Sequence, residues 1–155
     1  MSSRSAQGKA TAFAPASAAN VAIGFDILGF SVDVLGDSVT VDRTDKPGVV
    51  ITGSTGVVTD IPREPEKNTA GRALLALQQA LNPGFGFSAS IHKGIPLGSG
   101  LGGSAASAVA AVVAANALLE APLYKIELLK FAMQGEAVSS GSLHVDNISP
   151  SLFGG

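Results

Sequence analysis

The sequence contains no cysteine. Disulfide staples and thiolate metal sites are therefore both excluded. Charge is scarce as well. Asp, Glu, Lys and Arg make up 14% of the 155 residues, against about 25% in an ordinary soluble domain. Such a shortage predicts surface that something else covers, either a partner subunit or a further domain. The net charge of −2, with no clustered basic patch, sets nucleic acid aside as a partner. No continuous apolar segment follows the charged start at Arg4 and Lys9, so no secretory leader is expected. The most apolar stretch, Ala105 to Leu119, is interrupted by Ser107 and Asn116 and is too short to span a membrane. It reads instead as a buried helix of a soluble, cytoplasmic protein. No repeat and no linker divides the chain, and its length fits one domain. Arginine is absent after Arg72, which removes from the later half the bidentate fork best suited to carboxylates.

What is present is an α+β pattern, with 46% apolar residues to build a core. Lys9 to Ala14 alternates weakly as a first strand, and Pro15 to Gly24 reads as a loop of small residues. Leu28 to Val34 and Ser38 to Arg43 carry β-branched residues near period two, with Gly36-Asp37 between them as a hairpin turn. Val49 to Thr52 is a further short strand. Thr59 to Lys67, with two prolines and five charges, is a surface connection. Asn68 or Thr69 caps a helix to Leu81 with Leu74, Leu77 and Leu81 on one face, ended by Asn82-Pro83-Gly84. Phe87 to Lys93 alternates as a strand, in which Lys93 reads as an exposed strand lysine or one that approaches an anion at the loop that follows, and His92 as facing solvent or sheet. A helix opens at Ser104, breaks at Pro122, and is followed by an amphipathic helix to about Val138. The tail runs toward a strand near Gly155.

Between the last strand and the Ala/Val helix lies a loop with glycines at 98, 100, 102 and 103. Glycine lets backbone N–H groups turn inward and a ligand approach closely. The helix that follows begins with unpaired, partly positive N–H groups. Together they make an anion site, most often for phosphate. Ser99, Ser104 and Ser107 add hydroxyls for phosphate oxygens or a metal ion. A plain turn would need one or two glycines, not four. The Walker A class is excluded because no lysine stands before Ser104. Gly98, Gly100 and Gly103 match the spacing of the dinucleotide fingerprint. That fingerprint also needs a following strand with an acidic residue at its end, about 20 residues on. Here Glu120 to Tyr124 leads into another helix instead.

The segment Pro96, Leu97, Gly98, Ser99, Gly100, Leu101, Gly102, Gly103, Ser104, Ala105, Ala106 resembles the phosphate loop of the GHMP kinases, whose usual form is Pro-x-x-x-Gly-Leu-Gly-Ser-Ser-Ala. Gly103 stands where the first serine of the pair is usual, which removes one hydroxyl but leaves the main-chain cradle. The stretch from Ala14 to Gly29, with Asn20, Gly24 and Asp26 in register, resembles the N-terminal motif of the homoserine-kinase branch. The stretch from Ser140 to Gly155 resembles that branch's His-x-Asp-Asn segment, through His144, Asp146 and Asn147. Three ordered motifs are thus spread over nearly the whole chain.

The resemblance implies a fold like the second domain of ribosomal protein S5, with a left-handed β-α-β unit against the right-handed default. It implies phosphoryl transfer from ATP, with Mg2+, to the side-chain hydroxyl of L-homoserine, on the route to threonine. Residues 96 to 106 would cradle the nucleotide. Ser104 and Glu136 would hold the magnesium, which favours hard oxygen ligands. Glu136 and Asn147 would serve catalysis, Asn147 by orienting the substrate hydroxyl. Asn20, Asp26, His144 and Asn147 would bind the substrate. Asp146 has the chemistry of a general base, but the resemblance assigns it a structural or electrostatic role. Asn68 either borders the nucleotide base or caps its helix. Family members continue well beyond this length. The expectation is therefore an N-terminal ATP-binding domain over residues 1–155 without its C-terminal partner. Such a chain is inactive alone, and any homodimer forms through or with the other half. The remaining readings are a mevalonate-type GHMP kinase, a nucleotide-binding module without catalysis, and an RNA-associated domain of the same fold. The acidic balance and the phosphate loop weigh against the last.

Overall fold

The computed structural model describes residues 8–20, 29–141 and 145–154. A four-stranded sheet is built from β1 (Lys9–Ala19), β2 (Gly29–Thr44), β3 (Val49–Gly56) and β4 (Gly86–Lys93). Its spatial order is β1-β2-β4-β3. The pairs β1/β2 and β2/β4 are antiparallel, whereas β3/β4 is parallel. A parallel neighbour needs a crossover, which α1 (Thr69–Leu81) supplies between β3 and β4. One face of the sheet is wet and carries hydroxyls, among them the Thr11–Thr40 pair at 2.7 Å. The other face buries Ala14, Ala16, Val39, Val41, Ile51, Phe87, Ala89 and Ile91. This is the alternation expected of a half-covered sheet.

The helices cover that second face. α2 (Gly103–Ala117) packs on β1 and β2 and is flanked by α1 and α3 (Lys125–Ser140). It is therefore closed in on most sides, and residues 105 to 112 are all buried. An all-round apolar helix belongs in such a position. No described helix is long and apolar enough to cross a membrane. Asn116, which interrupts the apolar run, grips the chain beyond α2: its Nδ2 donates to Leu123 O at 3.0 Å, and its Oδ1 accepts from Leu123 N at 2.8 Å. α1 starts on Asn68, whose Oδ1 accepts from Gly71 N at 3.1 Å. It stops at Asn82 in the left-handed region, φ 42°.

Three expectations are corrected. Gly36-Asp37 is no hairpin turn, and β2 runs straight through it as a single strand from Gly29 to Thr44. The pairing is interrupted nearby: Pro15 faces Gly36 but Ala16 faces Val32, so Asp33 to Leu35 have no counterpart on β1. Proline, lacking an N–H, fits such an irregularity. Gly36 is required for another reason, since a Cβ there would stand 2.3 Å from Ala14 O. Second, β1 continues to Ala19, through the stretch read as a loop from Pro15 onward. Third, the tail forms a short helix, α4 (Ile148–Phe153), where a strand was expected. Ile148 and Leu152 anchor it to the core, and Ser151 Oγ donates to Pro15 O at 3.0 Å.

Candidate functional site

The glycine-rich loop leaves the end of β4 and enters α2. Gly98, Gly100 and Gly102 all have positive φ, at 67°, 73° and 66°. Only glycine adopts this region cheaply. Gly102 is the N-cap of α2, and its carbonyl accepts from Ala106 N at 2.9 Å. The N–H groups of Gly103, Ser104 and Ala105 thus precede the first intrahelical donor and carry the positive end of the helix. Gly102 is constrained twice. A Cβ there would lie 2.2 Å from Ser17 Oγ and 3.0 Å from Asn147 Oδ1. The loop is also fixed from β1, because Ser17 N donates to Leu101 O at 3.0 Å.

The loop forms one wall of a groove of about 340 Å³. Residues 95 to 104 line it, together with Asn20, Lys93, Glu136 and Asn147. Residues separated by more than a hundred positions in sequence thus meet at one place. Asn20 closes β1 in the left-handed region, φ 59°. Asn147 is held from β1 as well, its Oδ1 accepting from Ser17 Oγ at 2.8 Å. Glu136 is buried on the inner side of α3. It reaches the groove because Gly135 lets α3 press against α1 and α2. A Cβ at Gly135 would meet Thr69 O at 2.4 Å and Ala108 Cβ at 2.8 Å.

Not every residue named from sequence lines the groove. Ala105 and Ala106 are buried beneath it, and the Ala106 N–H is already committed to Gly102 O. Asp146 faces a different small cavity with Gly29, Val145 and Phe153. Its Oδ1 accepts from Asn147 N at 3.1 Å. Asp26 and His144 lie outside the described residues. Asn68 caps α1, and it also lines a second cavity of about 150 Å³ with Ile61, Pro62, Ile91, Leu97 and Ser104. His92, for which solvent and sheet were both open, is solvent-exposed, with its Nδ1 3.0 Å from Thr55 Oγ1.

The largest departure concerns Lys93, Asp37 and Ser107. Lys93, read as an exposed strand lysine or one that approaches an anion, is buried. Its Nζ donates to Asp37 Oδ2, to Gly103 O at 3.0 Å and to Ser107 Oγ at 3.0 Å. Ser107 Oγ donates in turn to Asp37 Oδ2 at 2.7 Å. Asp37 Oδ1 accepts from Gly94 N at 3.0 Å and Ile95 N at 3.1 Å. The Ser107 hydroxyl is therefore engaged in this cluster and not offered to a phosphate or metal. A lysine ending a strand of buried alternate positions, Phe87, Ala89 and Ile91, carried the signal: Lys93 continues the inward series.

The groove can hold polyphosphate. Its wall is main-chain amide and helix N-terminus, and at Gly98 and Gly100 the space where a Cβ would stand is open, with nothing within 4 Å. Ser104 and Glu136 both face it with oxygen donors suited to magnesium. Among the described residues no group of three or more His, Cys, Asp or Glu side chains forms a metal cage. That donor set fits an ion held jointly by protein, phosphate and water.

An α+β domain with a phosphate-cradling loop at the N-terminus of a buried helix defines a nucleotide-binding class. The chain belongs to the GHMP kinases, N-terminal domain, whose family model matches residues 68–155. Over 147 residues it is 56% identical to the homoserine kinase of Xylella fastidiosa strain 9a5c, covering 95% of this chain and 46% of that protein. It is 44% identical to the homoserine kinase of Chloroherpeton thalassium, with 93% and 48% covered. The crystal structure of homoserine kinase from Cytophaga hutchinsonii superposes with a TM-score of 0.92 at 45% identity, covering all of this chain and 49% of that one. A Staphylococcus aureus mevalonate kinase shares the fold, with a TM-score of 0.69 at 17% identity. The chain spans about half the length of the relatives it matches.

Proposed function

We propose that the protein carrying this chain phosphorylates the side-chain hydroxyl of L-homoserine with ATP, in the cytoplasm, on the route to threonine. The chain contributes the nucleotide-binding half of the site, and a second domain completes the substrate pocket. The observation that carries this reading is the single groove in which Asn20, Ser104, Glu136 and Asn147 stand against the phosphate loop. The relatives' name supports homoserine over other alcohols, since the mevalonate kinases share only the fold at 17% identity.

In this reading the amides of the loop and of the first α2 turn hold the phosphates, with the helix N-terminus adding positive potential. Ser104 and Glu136 hold magnesium, which supplies neutralisation of phosphate charge when bound. Asn147, locked through Ser17, directs the acceptor hydroxyl, and Asn20 with Asp26 and His144 receives the amino-acid part of the substrate. The base of the nucleotide occupies the cavity beside Asn68, Ile61 and Pro62. Transfer of this kind rests on alignment and charge stabilisation more than on covalent help from the protein. Asp146 accordingly supports Asn147 and takes no proton.

A coupled ADP-release assay on the full-length protein tests the reading. ADP should appear with L-homoserine and Mg·ATP but not with mevalonate. Glu136→Gln keeps the size of the side chain but removes its charge, and turnover should fall by at least about a hundredfold. Ordinary turnover of that variant at limiting magnesium would remove Glu136 from the metal site. Turnover of mevalonate in place of homoserine would reassign the substrate.

A further inference from the structure

The two glycines at the crest of the loop, Gly98 and Gly100, face open space, with nothing within 4 Å of where a Cβ would stand. Packing does not shape the crest at these two positions, so the loop's form is set beside it, where Ser17 N holds Leu101 O, and at its two ends. Both ends meet one carboxylate. Asp37 Oδ1 holds the entrance through the amides of Gly94 and Ile95. Asp37 Oδ2 holds the exit through Lys93 Nζ, which also grips Gly103 O, and through Ser107 Oγ in the second turn of α2. Every acceptor position of the carboxylate and every donor of the ammonium is used, and both residues are buried. Charge-assisted bonds in such a dry place are strong and directional.

We propose that Asp37 is a positioning residue for phosphoryl transfer. It fixes the span between the two ends of the phosphate loop and aims the first N–H groups of α2 into the groove, without touching the nucleotide phosphates itself. This rests on the kinase reading above. An amide at position 37 would keep one acceptor oxygen but turn an NH2 group toward Lys93 and Ser107. The Lys93 ammonium would then lack its counter-charge. The entrance and exit would no longer be tied through one group, and the loop would lose its register with the helix.

The test uses the full-length protein with Asp37→Asn and Ser107→Ala. Each is titrated calorimetrically with Mg·ATP and with L-homoserine, at a temperature where circular dichroism shows the native fold. Ser107→Ala should weaken Mg·ATP about tenfold and Asp37→Asn more, while homoserine affinity stays within about twofold. A merely structural role would move both ligands together or neither. A folded Asp37→Asn protein with wild-type Mg·ATP affinity, or with equal loss of both ligands, overturns the proposal. If Asp37→Asn does not fold, Ser107→Ala, which keeps the charge pair, decides on the same criteria. A wild type that binds no nucleotide overturns the kinase reading instead. Hydrogen exchange across residues 94–103 then decides the anchor: faster exchange in Ser107→Ala supports it, and unchanged exchange overturns it.

Discussion

Gly102 is the residue on which the most constraints converge. It caps α2 with positive φ, and its missing Cβ leaves room for Ser17 Oγ and Asn147 Oδ1. Those two atoms are themselves hydrogen-bonded at 2.8 Å, so neither withdraws freely. Gly102→Ala should therefore destabilise the fold by about 2 kcal/mol or more, combining the left-handed backbone penalty with overpacking. Urea denaturation of the full-length protein measures it. A loss below about 0.5 kcal/mol would mean that the loop relaxes freely around position 102. Gly103, by contrast, needs no unusual backbone. A Cβ there would stand 3.1 Å from Ile95 Cγ2, so the glycine in place of the family's usual serine matches a tight contact with the isoleucine below it.

At the scale of elements, the site depends on how α3 lies against its neighbours. Gly135 is the point of closest approach, and the next residue is Glu136. Gly135→Ala would gain about 1 kcal/mol of helix propensity. It would also drive a methyl group to 2.4 Å from Thr69 O, a backbone atom that cannot swing aside. Overpacking of this kind costs about 1–3 kcal/mol, so the clash should win and the variant should be less stable than wild type in thermal or urea unfolding. Its magnesium requirement should rise too, because α3 shifts and carries Glu136 with it. A more stable variant would show that α3 has slack at this crossing. The bulge between β1 and β2 acts similarly on the other side. It lets one continuous β2 hold Asp37 inward beneath the loop while its other half borders β1 beside the groove.

At the scale of the molecule, the chain carries a complete loop, its helix and the groove carboxylate Glu136, but no arginine beyond Arg72. A substrate held at one end only loses the alignment on which the rate depends. Residues 1–155 alone should therefore show no measurable homoserine phosphorylation in the coupled ADP assay, whereas the full-length protein should turn over. Comparable rates from both would mean that the site is self-contained in this chain. The paired measurement also separates the contribution of nucleotide binding from that of substrate capture, since the loop and its helix are present in both.

The sequence by itself determined whatever is written locally. Four glycines ahead of an Ala/Val helix specify an anion-binding turn, because glycine spacing and an unpaired helix end act within a few residues of each other. Alternation in Phe87 to Lys93 and the leucine stripe of α1 specify their elements for the same reason. The polar cluster beneath the loop was decided only by the tertiary structure. Gly36-Asp37 carries the composition of a turn, and nothing near it in sequence says otherwise. Its carboxylate partners lie 56 to 70 residues away, and the Ser17–Asn147 lock spans 130. Such pairs form only once the sheet register and the helix crossings have placed them. A buried charge is tolerated only where a partner arrives to meet it, and that partner is fixed by the fold rather than by its neighbours in the chain.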